Sequence, residues 1–206
     1  MLIIGSKGHA VEIFQCLSSY EREQTVFFDN ITPDQSADLF GTYPVLRTLA
    51  DARAYLANID SRFILGLGGP GLRRRLAKEF RECGGQLTSV IAPTAVLGPF
   101  ATLGPGLNIM QHTLVSPTAT LGEGVLLNAG AAVHHDSIVG EYCEISPGAR
   151  ILGHCRLGQN CWVGAAAVIL PSVTVGQDAV IGAGAIVTRS VEAGTTVVGI
   201  PARLMS

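Results

Sequence analysis

From Ile91 onward every sixth residue is aliphatic. The series runs Ile91, Leu97, Leu103, Ile109, Val115, Leu121, Leu127, Val133, Val139, Ile145, Ile151, Leu157, Val163, Ile169, Val175, Ile181 and Val187, 17 positions without a miss. Four residues after each stands a mostly small side chain, among them Ala95, Ala101, Thr113, Ala119, Ala131, Ser137, Ala149 and Ala167. The residue directly after the aliphatic is Gly in eight of the 17, as at Gly98, Gly104, Gly122 and Gly140, which predicts tight backbone corners. A fixed period over so long a stretch marks a repeat architecture.

Before Ile91 the pattern is different. "MLII" reads as a short buried strand, "GSKGHA" as a turn, and "AVEIFQCLSSY" as a helix with Val11, Phe14 and Leu17, or Ile13 and Leu17, on one face. "TVFFDN" reads as a second strand. "RFILGLGGPGLRRRLAKEF" reads as strand, Gly loop and helix, with Leu72, Leu76 and Phe80 inward and the arginines outward. Strands alternating with helices imply a small parallel sheet whose Gly turns sit at the carboxyl ends of the strands, where ligands bind. Gly66, Gly68 and Gly71 match G-x-G-x-x-G between strand and helix. About 90 residues cannot supply two nucleotide-binding halves, and no acidic residue ends the following strand. A phosphate-cradling turn for a mononucleotide-type ligand is therefore favoured over NAD, with turns needed only for packing as the plain alternative.

The hexad rule resembles the hexapeptide repeat of the left-handed parallel β-helix, in which three hexads make one triangular coil. Residues 18 apart then stack at strand spacing, about 4.8 Å, and the hexads amount to nearly six coils with no inserted loop. The fold class is thus α/β plus all-β: a small Rossmann-like domain over residues 1–88, then a left-handed parallel β-helix with a short tail over 89–206. Cys143, Cys155 and Cys161 fall on the small inward position, where Cys acts as a small hydrophobe. Residues 157–177 carry no charge and have the length of a membrane span, but the hexad rhythm running through them speaks against one.

Composition narrows the function. Of the 206 residues, 48% are hydrophobic and only 15% charged, and the net charge of -2 gives no electrostatic case for nucleic acid or an anionic membrane. Five cysteines without paired spacing fit a reducing compartment, and Met1 leads into "LIIG" with no signal-peptide pattern, so the expected location is cytoplasmic.

Taken together, "GSKGHA", "FFDN", "GLGGPGLRRRL", "VHHDSIVGEYCEISPGA" and "GIPARL" resemble the bacterial sugar acetyltransferases grouped as sialic-acid O-acetyltransferase-like, which include N-acetyltransferases of nucleotide-linked 4-amino sugars. The resemblance spans essentially the whole chain. It implies a homotrimer with acetyl-CoA in the groove between neighbouring β-helices, a nucleotide sugar as acceptor, and no metal.

In that family the base is a His followed by an acidic residue, which maps onto His135 and Asp136. The chemistry is sound from the residues alone: His can take a proton near neutral pH, and a neighbouring carboxylate can orient it. Gly153, one coil above His135, leaves room for the thioester, and the family uses its amide to stabilise the oxyanion. The resemblance carries further donor contacts onto Glu144, Ala165 and Ala183, and acceptor contacts onto Lys7, Gly8, His9, Asp29, Asn30, Gly68 and Arg73. Arg189 and Arg203 could meet the phosphates of CoA. Two departures stand out: Glu144 occupies a position where relatives often carry a second His, and Lys7 one where many have Gly or Ser. His112 and His134 read as surface or interface residues. His154, 18 residues beyond Asp136, is expected to stack directly on it and share its carboxylate.

The leading expectation is an acetyl-CoA-dependent transferase that moves acetyl to an amino group or hydroxyl of a sugar by direct attack. A zinc hydratase built on His112, His135 and His154 across an interface, and a non-catalytic nucleotide-sugar-binding trimer, are the alternatives. The particular sugar, its nucleotide, and N- versus O-transfer stay open.

Overall fold

The computed structural model describes residues 1–32 and 37–205. The chain divides into two compact units, Met1–Gly68 with Leu72–Val90, and Gly69–Gly71 with Ile91–Ser206.

The first unit is a sheet with helices. Its strands are β1 (Leu2–Ile4), β2 (Val26–Phe28), β3 (Asp38–Leu39), β4 (Tyr43–Leu46), β5 (Arg62–Leu65) and β6 (Gln86–Leu87), ordered β3-β4-β2-β1-β5-β6. All neighbours are parallel except the edge pair β3 and β4. β1 is central and fully apolar, as a strand covered on both faces must be.

The first helical stretch is broken in two. α1 (Gly8–Cys16) ends because Ser18 starts a new helix, α2 (Ser19–Glu23), through a capping box with Glu21. Ala10, Ile13 and Cys16 form the buried stripe of α1, rather than the Val11–Phe14–Leu17 face that periodicity suggested. α3 (Leu49–Asn58) carries no strong periodicity in the sequence; it is capped by Thr48 and buries Ala52, Tyr55 and Leu56.

α4 (Pro70–Glu82) is rotated from its expected register. Arg73, Ala77 and Phe80 are wholly buried, while Leu72 is 41% exposed. The reason is the Gly loop before the helix. The Arg73 guanidinium donates to the carbonyl oxygens of Leu65 and Leu67, at 3.1 and 2.9 Å. Burying a charge is tolerable only with such partners, and here it ties the helix to the end of β5.

The second unit is a parallel β-helix of three sheets built from two-residue strands. One sheet stacks 108–109, 126–127, 144–145, 162–163 and 180–181; the next stacks 114–115, 132–133, 150–151, 168–169 and 186–187; the third stacks 120–121, 138–139, 156–157 and 174–175. Every step is 18 residues in parallel register, as in Ala132↔Arg150 and Val133↔Ile151. The aliphatic series from Ile109 to Val187 fills the interior at no more than 3% exposure, and Cys143, Cys155 and Cys161 lie inside with it. Ile91 and Leu97, in the first coil, are 41% and 37% exposed because a terminal coil has a neighbour on one side only.

Each hexad turns its corner in the same way. The third residue after the aliphatic has a left-handed backbone at every corner from Phe100 to Gly184, including Asp136 (φ 58°), Tyr142 (φ 54°) and His154 (φ 60°). The glycines directly after the aliphatic are not these left-handed residues. A β-carbon on Gly140 would lie 2.6 Å from the carbonyl carbon of Gly158 in the next coil. The glycines are there for the close approach of coils, not for a positive φ.

Candidate functional site

The second residue after the aliphatic has its own rule. Among the described residues, its N–H donates no backbone hydrogen bond to the coil. Proline, which has no N–H, accordingly occupies it at 93, 99, 105, 117, 147 and 171. His135, Gly153, Ala165 and Ala183 all stand at this position, so the backbone there is available to a ligand. Asp136 and His154 occupy the left-handed position that follows.

These periodicities gather one cluster at a single corner, on the turns that follow Ala132–Val133 and Arg150–Ile151. His135 Nδ1 lies 2.8 Å from Asp136 Oδ2. Thr118, one coil below, donates from Oγ1 to Asp136 Oδ1 at 2.8 Å and accepts from the Asp136 N–H at 3.1 Å. The carboxyl of Asp136 is held below its usual range, first by the hydrogen bond from His135 and then by that from Thr118. An ionised carboxylate only accepts, so His135 Nδ1 carries the proton, and Nε2 of the neutral ring is left as a bare lone pair.

That free nitrogen points at Gly153. A β-carbon built there would lie 2.7 Å from both Nε2 and Cε1 of His135. The missing side chain thus makes room for the imidazole as well as for anything bound beside it. His154, one coil above Asp136, places Nε2 3.8 Å from the same Oδ2, with its ring edge-on to His135 at a centroid separation of 5.1 Å.

His135, Asp136 and His154 bring three ligand-type atoms within 4.8 Å of one another. The 2.8 Å between Nδ1 and Oδ2 is shorter than the roughly 3.3 Å that two ligands of a tetrahedral zinc ion keep. A hydrogen bond, not a shared cation, fits that spacing. His112 lies on a different corner, after 108–109, so one chain does not gather the three-histidine set. His134 is half-buried, and burial, then Arg150 and His135, lower its affinity for a proton.

The other donor positions do not join this corner. Ala165 and Ala183 are exposed and stack on one another, but after 162–163 and 180–181, on a separate sheet from Gly153. Glu144 is only 7% exposed, and its carboxylate accepts from the Gly69 N–H at 2.7 Å, a residue that groups with the same unit. It is not a freely presented anion.

In the first unit a cavity of about 860 Å³ opens at the carboxyl ends of β1 and β2, lined among others by Gly5, Asp29, Asn30, Ile31, Leu67 and Leu72. Of the expected acceptor residues, only Asp29 and Asn30 line it. The Asp29 carboxylate is already occupied. Its Oδ1 accepts from the Ile31 and Thr32 amides, and its Oδ2 from the Ser6 and Thr32 hydroxyls, at 2.5 to 3.0 Å. Burial would raise this carboxyl, but those four hydrogen bonds outweigh it and hold it at about 2. Asp29 therefore shapes the loop rather than offering an acceptor to ligand. Arg73 is corrected in the same sense, its charge being spent on Leu65 and Leu67.

Lys7 and Gly8 are exposed at the start of α1, Gly68 is half-buried in the loop, and His9 pairs with Glu12 at 3.2 Å. Burial is the main reason that His9 binds a proton less readily than usual. Gly66 has a packing role: a β-carbon there would strike Ile3 Cγ2 at 2.7 Å and Ala10 Cβ at 2.8 Å. At the end of the β-helix, Arg189 and Arg203 line a second cavity of about 370 Å³. Sequence reading passed over Thr118, although stepping back 18 residues from Asp136 finds it.

A β-helix of hexapeptides carrying a corner histidine–aspartate pair defines the class of hexapeptide transferases. Residues 118–153 and 154–189 match the family described as bacterial transferase hexapeptide (six repeats), and residues 1–80 match the PglD N-terminal domain. The chain belongs to the PglD-like hexapeptide acetyltransferase family.

Among solved structures, PerB from Caulobacter crescentus in complex with CoA and GDP-perosamine is 28% identical at a TM-score of 0.87, over 100% of this chain and 96% of that one. The acetyltransferase domain of PglB from Neisseria gonorrhoeae, in complex with acetyl coenzyme A, is 28% identical at 0.89, over 99% and 98%. WeeI from Acinetobacter baumannii is 27% identical at 0.88, over 99% and 98%. A comparison with curated proteins returned no match. Among the described residues no helix is long and apolar enough to cross a membrane.

Proposed function

We propose that this protein is an acetyl-CoA-dependent N-acetyltransferase acting on a nucleotide-linked amino sugar, most closely a 4-amino-4,6-dideoxy sugar. The observation that carries this reading is the bare Nε2 of His135 beside the unengaged amide of Gly153. The whole-length likeness to PerB, solved with CoA and GDP-perosamine, supports both the donor and the acceptor class.

The sugar amine attacks the thioester carbonyl, and a C–N bond forms as the carbonyl π pair moves onto oxygen. His135 Nε2 takes the ammonium proton, while Asp136 holds Nδ1–H and stabilises the imidazolium. The Gly153 N–H faces the oxyanion. Collapse expels the CoA thiolate, which recovers the proton from His135. No covalent acetyl-enzyme is needed, and the cysteines of the β-helix lie inside its core.

The acceptor's nucleotide occupies the cavity of the first unit, with Asn30 and the loop that Asp29 organises. Lys7, Gly8, His9 and Gly68 lie near the carboxyl ends of its strands. The amides of Gly153, Ala165 and Ala183 lie on two corners, so a donor touching all three bridges two copies of the chain. The trimer that the family resemblance implies supplies that arrangement.

The test is release of free CoA thiol from acetyl-CoA with GDP-, UDP- and dTDP-linked 4-amino sugars, with the N-acetyl product identified by mass. Thiol release with none of them, or acetyl found on a hydroxyl, overturns the proposal.

A further inference from the structure

His135 is not the only imidazole on Asp136. Its Nδ1 lies 2.8 Å from Oδ2, and His154 Nε2 lies 3.8 Å from that same oxygen. The other oxygen, Oδ1, is taken by the Thr118 hydroxyl, so a second donor has nowhere else to go on this carboxylate. The fold imposes the arrangement. Asp136 and His154 both occupy the left-handed corner position, one coil apart, and the His154 amide donates to the His135 carbonyl at 3.0 Å. Both rings are more than half exposed, 56% and 60%, so each is open to protons from solvent.

We infer that His154 is a positioning residue for the base: by sharing Oδ2 of Asp136 with His135, it weakens the hold on a proton that an unshared carboxylate would give His135. Two effects act in the same direction. A cationic His154 draws the carboxylate toward itself, and its charge disfavours a second cation beside it. The two rings then titrate as a pair, and His135 stays neutral, able to accept, at a lower pH than it would alone. The other groups around them are His134, the residue before the base, and Arg150, whose charge acts on His134. Thr118 below and Ser172 above in the same column are uncharged.

The inference rests on His135 being the base, but its test does not require that the protein transfer acetyl. The Cε1 proton of His135 is followed by NMR against pH in the full chain and in His154→Asn, which keeps size and hydrogen bonding and removes the charge. The midpoint is expected to rise by about half a pH unit, the influence of a unit charge roughly 5 Å away in a water-like dielectric. In the acetyl-transfer assay at saturating substrates, the acidic limb of the rate profile moves to higher pH by the same amount. In an Asp136→Asn background the carboxylate-dependent part of the shift disappears. A purely structural His154 would change the melting temperature and leave the midpoint in place. An unmoved His135 midpoint overturns the inference whether or not acetyl transfer is found.

Discussion

The side chain of His135 occupies the space where Gly153 would carry its β-carbon, 2.7 Å from both Nε2 and Cε1. Two residues 18 apart are thereby linked: the imidazole can take its position only because the next coil has glycine. Gly153 has no left-handed φ to protect, so a substitution there acts on the ring and not on the backbone. Gly153→Ala is expected to lower kcat by about 10²-fold, the scale of a misplacement near 1 Å. The melting temperature should stay within a few degrees. Full activity in this variant would show that the ring has another productive position.

His135→Ala removes the proton acceptor. Turnover should fall by about 10²- to 10⁴-fold, the usual contribution of a general base, with little change in acetyl-CoA affinity by calorimetry. A loss within about threefold would place the base elsewhere.

The Asp29 loop sets a dependence of stability on pH. The folded carboxyl is held at about 2, below its ordinary value of 3.8. A depressed carboxyl stabilises the fold above its unfolded value, and that stabilisation is lost as pH falls from about 4 toward 2. Ser6→Ala removes the hydroxyl donated to Oδ2 at 2.5 Å. Its melting temperature should lie below that of the parent near pH 6, and the gap should close as pH approaches 2. A gap of constant size across that range would mean that Ser6 acts through packing.

Outward residues of the second β-helix sheet are mainly apolar: Val96, Leu114, Ala132, Val168 and Ile186, with Arg150 among them. An apolar column facing out of a β-helix needs a cover, and a trimer provides one. Light scattering is expected to give three times the mass of 21.5 kDa. Val168→Glu, on the outer side and away from the core, should shift the protein toward smaller species. A parent that is monomeric at micromolar concentration would remove the shared donor groove.

The period of six was enough to determine the β-helix. Inward aliphatic and small positions, the 18-residue stack, the buried cysteines and the column Asp136–His154 all follow from it, because each coil repeats the same backbone and position in the hexad alone decides direction. His135 and Asp136 were legible for the same reason, as was the glycine above them. In the first unit no repeat constrains the side chains, and only tertiary contacts decided their roles. Arg73 lies on a helix full of arginines, and nothing local distinguishes the one whose guanidinium meets the carbonyls of Leu65 and Leu67. Asp29 ends a strand as a ligand-binding acid would, yet Ser6 and its own turn use all its lone pairs. Ala165 and Ala183 share a hexad position with Gly153 but not a corner, since position in the hexad fixes conformation while the count of hexads, three to a coil, fixes the sheet. A hydrogen-bond partner brought in from a distant segment leaves no periodic trace, and burial of a polar group is settled by that partner.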